Sequence, residues 1–430
     1  MKAAESVPNA VPVAAAGGGT PEGRNTFWLE CYQVIVRVGW IFKTETIIMP
    51  AVLDAVVDSG LLRGLLPILN RGGQSLPPLL FAGPLSRRPL KKWTLVRTSL
   101  AMAACFAVLA VAWGPLAARR PDLLATLFLS LYFAFSVANG LTQLVSASLT
   151  GKLIPAGRRG RAMVVSTTVG SGLAIAAAAW LLGPWLEMAD GFQRIFGATA
   201  AFFAVAAFVP AMLDEPPDEA AADAGAAGGW RGFLADWGGT LRRDRALARL
   251  AAVAVCFSAV FMLFPHYQAF ARDRLGSPIA SLLTWVVVQN AATAAASVVA
   301  GPVTDRRGTR IVLVWIVALS AATPLAVIAL SLAPQAAAVD WFWAVYALLG
   351  LNPIALRTFT NYALELAPRP ADHPRYVSIV GAALAVPFVL SPLVGLGVDV
   401  LGFRPVFLAG AVAIAIGAVV AGGLPEPRRA

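Results

Sequence analysis

Five ionisable side chains lie well inside long apolar stretches of the sequence: Arg37, Lys43, Glu45, Arg71 and Arg357. A charge at the centre of a membrane helix costs about 2.5–3.5 kcal/mol, so such side chains usually face a cavity or a partner. A guanidinium group holds a carboxylate or a phosphate in a bidentate fork. An excess of buried positive charge therefore favours an anionic or zwitterionic solute. The alternative stays open that these arginines bind helix carbonyls or acidic residues and never meet a solute.

Glu45 is the candidate for proton exchange, because its charge state would respond both to burial and to the neighbouring Arg37. On a regular helix Lys43 points nearly opposite Glu45, so the two are not expected to form a simple pair. Excess positive charge in the cavity and a single central carboxyl group together suggest that solute binding and proton binding could be coupled.

Uncharged polar residues recur at helical spacing in the same apolar stretches. Tyr132, Ser136, Asn139, Gln143 and Ser146 follow a 4-3-4-3 spacing, which places them on one helix face. Polar residues of this kind also join helices to each other by hydrogen bonds, and for Asn139 and Gln143 that alternative stays open. The candidate substrate-binding residues are Arg37, Glu45, Asn70, Arg71, Asn139, Gln143, His266, Gln289, Asn290, Arg357 and Asn361.

Enzyme chemistry is poorly supported. The two histidines, His266 and His373, and the three cysteines, Cys31, Cys105 and Cys256, lack the spacing of a metal site or a disulfide framework. No phosphate-binding glycine loop or nucleophile motif occurs at a suitable spacing. We therefore expect no enzyme activity, no metal and no cofactor. His266 is the only histidine in an expected span, and for it a hydrogen-bonded structural role is favoured over proton transfer.

The composition indicates a membrane protein. Of 430 residues, 58% are hydrophobic and 13% are charged, whereas soluble domains are about 25% charged. Apolar segments long enough to cross a bilayer recur about twelve times, without the alternation of barrel strands. The sequence predicts an all-α polytopic membrane protein with twelve transmembrane helices in two six-helix halves. The expected spans are residues 28–52, 59–82, 94–117, 122–147, 162–186, 193–213, 248–270, 279–301, 310–332, 341–366, 377–399 and 404–424.

Basic residues in the connecting segments predict the orientation. Counted along these spans, 22 lysines and arginines fall on the side of the two termini and six on the other side. Because basic loops stay in the cytoplasm, both termini are expected there. The net charge of +11 is then explained by orientation and does not require a nucleic acid partner. Arginine outnumbers lysine 29 to 5, which suggests a GC-rich bacterial genome and hence a bacterial inner membrane.

The chain divides into five regions. The expected division is a disordered cytoplasmic tail at 1–26, an N-terminal half at 27–213, a cytoplasmic linker at 214–247, a C-terminal half at 248–424 and a short tail at 425–430. The linker begins acidic and flexible. Its second half places apolar residues at helical spacing among arginines, which fits either a helix on the membrane surface or a solvated linker.

A repeat makes the division into halves meaningful. Residues 83–92 read GPLSRRPLKK and residues 301–310 read GPVTDRRGTR, an offset of 218 residues. The second copy resembles the inner-loop motif G-x-x-x-D-R-x-G-x-R of the major facilitator superfamily. It matches at Gly301, Asp305, Arg306, Gly308 and Arg310. The resemblance extends over essentially the whole chain.

The resemblance implies a secondary transporter whose two halves rock around a central cavity. In the family the motif's aspartate helps to hold the inner side closed, which makes the five matching residues and Glu365 the gating candidates. Glu365 is expected to pair with Arg306 or Arg310, with a contact to substrate as the alternative. In the first copy Arg87 replaces the aspartate, so a basic turn without a gating role is favoured there.

The resemblance also implies the partners: a small-molecule substrate, the lipid bilayer and, for a coupled transporter, protons. The protein is expected to act as a monomer. Two alternatives stay open. One is an exporter of amphipathic drugs or lipids, and the other is a membrane sensor or scramblase that uses the same scaffold without coupled transport.

Overall fold

The computed structural model describes residues 21–86, 88–217, 230–369 and 372–426. Every regular element within these ranges is a helix. Ten helical segments are long and apolar enough to cross a membrane, and they correspond to the third through twelfth expected spans. The first two expected spans, both of which carry charged residues, complete the twelve. Most of the two expected tails and residues 218–229 of the expected linker lie outside the described residues.

The N-terminal half contains eight helices, because two of its spans are interrupted. Their bounds are α1 Pro21–Ile41, α2 Ile48–Asp54, α3 Gly60–Ser86, α4 Lys92–Arg119, α5 Pro121–Leu153, α6 Ala156–Ala177, α7 Gly183–Leu186 and α8 Gly191–Phe208. A π-helical turn at Ala178–Leu182 connects α6 to α7, so these two helices form one span.

The linker ends in a helix, α9 Trp230–Arg243, so the linker is helical in its second half. The C-terminal half follows with ten helices, since its first, fourth and fifth spans are interrupted. Their bounds are α10 Arg245–Phe257, α11 Ala259–Leu275, α12 Ser281–Arg307, α13 Thr309–Leu330, α14 Gln335–Trp341, α15 Trp343–Leu349, α16 Asn352–Leu366, α17 His373–Ala385, α18 Ser391–Leu401 and α19 Phe403–Gly422.

The break between α1 and α2 has a local cause in Pro50. Proline lacks the amide hydrogen, and its ring clashes with the carbonyl of the residue four positions earlier, here Thr46. The backbone from Phe42 to Ile47 therefore leaves the helical path. Helix α16 likewise begins after a break, and Pro353 lies in its first turn.

Helix α1 begins and helix α19 ends at the same end of the bundle, which we call the terminal end. Arg24 pairs with Asp214 at 2.8 Å, which joins the start of α1 to the end of the sixth span. Arg249 donates to the carbonyl of Gly423 at 2.9 Å, which joins α10 to the end of α19. Each half crosses the membrane six times, and an even number of crossings returns the chain to the side from which it started.

The two halves meet closely at the opposite end, where α3 begins and α18 ends. A Cβ atom on Gly395 would overlap the backbone carbonyl of Gly60, so the helices can cross here only because both positions are glycine. The Asp399 carboxylate accepts from the backbone N–H groups of Gly60 and Leu61, at 2.8 and 3.1 Å. A carboxylate of the C-terminal half thus caps a helix of the N-terminal half.

Candidate solute cavity between the two halves

A cavity of about 20 Å³, which holds about one water molecule, lies between the halves at the level of the break in the first span. The N-terminal half contributes its polar wall and the C-terminal half an apolar wall formed by α11. The lining residues are Glu45, Leu66, Pro67, Asn70, Arg71, Tyr132, Phe261, Phe264 and Pro265. Three of them, Glu45, Asn70 and Arg71, were predicted from the sequence.

The break in the first span pairs Lys43 with Glu45, which corrects the expectation that they point apart. Lys43 is completely buried, and its Nζ lies 2.8 Å from Glu45 Oε1. The expectation was wrong because it assumed a regular helix, and a turn brings neighbouring side chains to one side. The Lys43 ammonium also lies 3.5 Å from the centroid of the Trp40 ring and 4.7 Å from that of Phe135, which stabilises the buried cation.

Asn70 organises the polar wall. Its Nδ2 donates to Tyr132 Oη at 3.0 Å, and its Oδ1 accepts from Gln74 Nε2 at 2.8 Å. Asn70 also interacts with Glu45, whose other partners are Lys43 and Arg71. These bonds hold the side chains of three separate segments around one point.

Arg71 extends from α3 toward the C-terminal half. Its guanidinium carbon lies 4.9 Å from the centroid of the Phe261 ring on α11. Within the described part of the chain, Arg71 has no hydrogen bond or salt bridge, although its charge interacts with Lys43 and Glu45. Its N–H donors therefore remain open to an oxyanion in the cavity.

Arg37 and Arg357 place further positive charge between the cavity and the terminal end. Arg37 is half-buried on α1 and packs against Gly170. A Cβ atom added to Gly170 would lie 3.0 Å from Cδ of Arg37. Arg357 and Asn361 are exposed on consecutive turns of α16. The charges of Arg37 and Arg357 repel each other, so these two residues of opposite halves lie near one another.

The remaining substrate-binding candidates differ in position. Asn139 is buried, and its Nδ2 has no hydrogen-bond partner among the described residues, whereas Gln143 is exposed. Gln289 accepts from Thr46 Oγ1 at 2.7 Å, a hydrogen bond between the halves. Asn290 donates at 2.8 Å to a carbonyl of its own helix.

His266 was expected to be a hydrogen-bonded structural histidine, and the structure contradicts this. Its side chain is completely buried, but neither ring nitrogen has a hydrogen-bond partner among the described residues. It follows Pro265 of the cavity wall, and the charge of Arg63 acts on it. His266 therefore lies between the cavity and the charged residues of the opposite end.

The gating candidates gather at the terminal end of the C-terminal half. Gly308 has φ +94°, and the Glu426 carboxylate occupies the space that a Cβ atom would take, so the turn requires glycine. Arg310 donates to the carbonyl of Gly422 at 2.6 Å. Glu365, expected to pair with an arginine of the motif, accepts from Thr309 Oγ1 at 2.7 Å.

The other gating candidates form no described gate. Arg306 is exposed, and a Cβ on Gly301 would meet no atom within 4 Å. The side chain of Asp305 lies outside the described residues, as does Arg87 of the first copy. The gating role of the motif therefore stays a prediction.

Sequence reasoning missed an ion-pair cluster at the opposite end, formed by Asp54, Asp58, Arg63, Arg272 and Asp273. Arg63 is 2% exposed and contacts both Asp54 and Asp58 within its own half. Arg272, from the other half, lies 3.3 Å from Asp54 and 2.9 Å from Asp58. Three carboxylates and two guanidinium groups leave the cluster with a net charge of −1. The cluster joins the two halves at this end.

Two six-helix halves around a cavity that both of them line define a multi-pass membrane transporter. The family model for the Major Facilitator Superfamily matches residues 75–289 and 271–430. The chain belongs to this superfamily, as the inner-loop motif indicated. A comparison with curated proteins finds no significant match.

Solved transporters share the fold over nearly their whole length. A POT family transporter in complex with 5-aminolevulinic acid has a TM-score of 0.73 at 12% identity, covering 94% of this chain and 96% of that one. A variant of the nucleoside transporter NupG has a TM-score of 0.68 at 13% identity, with coverage of 93% and 99%. A bacterial homologue of the human lysosomal transporter Spinster, in an inward-facing and occupied conformation, has a TM-score of 0.65 at 13% identity. The match covers 95% of this chain and 97% of that one.

Proposed function

We propose that the protein carries a small anionic or zwitterionic organic solute across the membrane by rocker-switch alternating access. The observation that supports this most is Arg71, a cation without a salt bridge in the described chain, in a cavity between the halves. Around it Lys43, Arg37 and Arg357 are positive, and among the described residues that line the cavity Glu45 is the one carboxylate. The ion-pair cluster and the glycine crossing join the halves at the opposite end, which supports a state open toward the terminal end.

The same cavity supports proton coupling through competition for its cations. Without solute, the Glu45 carboxylate pairs with Lys43 at 2.8 Å, and Arg71 lines the same cavity. A solute carboxylate that binds these cations takes them away from Glu45, and a carboxyl group without cationic partners in a desolvated site binds a proton more readily. Solute anion and proton would therefore enter the site together, and the net charge of the occupied site would be unchanged.

The apolar wall of the cavity favours a second candidate, transport of an amphipathic compound. Phe261, Phe264 and Pro265 line the side opposite the charges, so a ligand with one polar and one apolar face would meet both. A scaffold without transport activity is less supported, because among the described residues the ion-pair cluster and the glycine crossing both lie at one end of the bundle, as alternating access requires.

We place the protein in a bacterial inner membrane as a monomer, with both termini cytoplasmic and the halves at 27–213 and 248–424. In a variant without native cysteines, Arg306→Cys should resist an impermeant maleimide in intact cells, and Arg119→Cys should react. Both positions are exposed, at opposite ends of the bundle. Labelling of Arg306→Cys but not of Arg119→Cys would reverse the orientation.

The solute class can be tested by binding to the purified protein. A thermal-shift panel would contain a dicarboxylate, a dipeptide, a sugar phosphate, a nucleoside and a quaternary ammonium ion, and we expect the anionic and zwitterionic members to stabilise. Arg71→Ala should weaken that binding about 30-fold, since a charge-assisted hydrogen bond contributes about 2 kcal/mol. Arg97→Ala, which changes an exposed arginine, is the control. Stabilisation by the quaternary ammonium ion alone would refute the proposed solute class.

A further inference from the structure

A second cavity lies at the opposite end, and all of its lining residues belong to the C-terminal half. Its volume is about 450 Å³, and it is formed by the end of α11, the residues after α13 and the turn between α18 and α19. Because all of its walls belong to one half, it is not part of the pathway between the halves. No acidic side chain lines it among the described residues.

Two arginines give this cavity its charge. Arg404 is held in place by two hydrogen bonds to Ser331, from Nε to Oγ at 2.9 Å and from the guanidinium to the carbonyl at 2.7 Å. The guanidinium carbon of Arg274 lies 6.0 Å from the centroid of the Phe403 ring. Within the described chain Arg274 has no hydrogen bond or salt bridge, and its neighbour Asp273 pairs with Arg272 instead. Two guanidinium groups therefore face the cavity without a carboxylate to neutralise them.

The surroundings of the cavity are those of an amphiphile site. Phe270 and Phe403 form a buried apolar floor. Leu401 in the wall is 65% exposed, and nearby Leu332 is 72% exposed, so an apolar surface begins at the mouth. In a twelve-span membrane protein such a surface contacts acyl chains. A free phosphate ion would use the arginines but leave this surface unused.

We propose that this cavity binds the headgroup of an anionic phospholipid, with the phosphate between Arg274 and Arg404 and the acyl chains on Leu332 and Leu401. Arg404 is fixed by Ser331 and presents its remaining N–H donors, while Arg274 is free to close over the phosphate. The site is separate from the solute cavity, so its occupancy does not depend on the proposed solute.

The test is native mass spectrometry of the full-length protein in micelles that contain equal amounts of phosphatidylglycerol and phosphatidylethanolamine. We expect the protein to retain phosphatidylglycerol preferentially. In the double variant Arg274→Gln and Arg404→Gln retention should fall about 30-fold, and in Arg274→Gln alone about fivefold, as expected for two arginines and one near an anionic lipid. The single variant keeps the hydrogen bonds to Ser331 and therefore the fold of the turn.

The matched control is Arg119→Gln with Arg120→Gln, two exposed arginines at the same end in the other half. It should retain phosphatidylglycerol as the unchanged protein does. Equal retention of both lipids, equal loss in the control, or no loss in the double variant would overturn the proposal. Displacement of the bound lipid by soluble glycerol phosphate at equal concentration would also overturn it, because the acyl chains would then contribute nothing.

Discussion

Glu45→Gln should still bind the solute but lose accumulation driven by a pH gradient. Glutamine keeps the hydrogen bond to Lys43 and the shape of the site, but it cannot take up and release a proton. In proteoliposomes, exchange of labelled for unlabelled solute should therefore continue, whereas uphill uptake under an imposed pH gradient should fall to the level of protein-free vesicles. The measurement compares the two rates in one preparation, with the solute that the thermal-shift panel identifies.

Glu187→Gln is the control, because it removes an exposed carboxylate from a loop at the opposite end. It should leave both rates unchanged. Uphill uptake by Glu45→Gln at the rate of the unchanged protein would refute the coupling mechanism. It would leave the solute class untouched, since that depends on Arg71.

Arg272→Glu should open the opposite end of the transporter. The substitution removes the contacts of Arg272 with Asp54 and Asp58 and places a fourth carboxylate among three. Loss of the charge-assisted hydrogen bonds removes about 2 kcal/mol, and repulsion adds to this, so the open population should rise by at least about 30-fold. Spin labels at Leu61→Cys and Val400→Cys, both exposed at this end, would report longer distances between the halves.

Arg194→Glu is the matched control, because Arg194 pairs with Asp190 at the same end but within one half. In this variant the distribution of distances between the two spin labels should equal that of the labelled protein without the Arg194 substitution. If Arg272→Glu gives the same distribution as Arg194→Glu, the ion-pair cluster does not hold the halves together. Arg63→Ala would not be equally informative, because it leaves Asp54 buried beside one remaining cation and risks misfolding.

Ten of the twelve spans could be predicted because apolar length alone defines them. The tenth span was expected from 341, and the structure begins it at Gln335, while the fifth was expected from 162 and begins at Ala156. These ends were missed because polar or basic residues continue a helix beyond the apolar part of the span. Hydropathy marks where a helix crosses lipid and not where its hydrogen bonding stops.

Part of the site was predictable for a different reason. Arg71, Asn70 and Glu45 stood out because polar residues in lipid need a partner, and the structure places all three at one cavity. The pairing of Lys43 with Glu45 was missed, although Pro50 signalled the break that produces it. The ion-pair cluster could not be predicted, since Arg272 lies 214 residues from Asp58 and no spacing rule joins them.

The charged break in the first span also determines how the chain can enter the membrane. Lys43 and Glu45 leave the ribosome long before α5, and each costs about 2.5–3.5 kcal/mol if it enters lipid without its partners. The first two spans have a lower hydropathy than the other ten. Tyr132, which accepts a hydrogen bond from Asn70 of the second span, is synthesised only with the fourth span. We therefore expect the insertion machinery to shelter this N-terminal hairpin until α5 has been synthesised, so that residues of the proposed solute site delay the first steps of biogenesis.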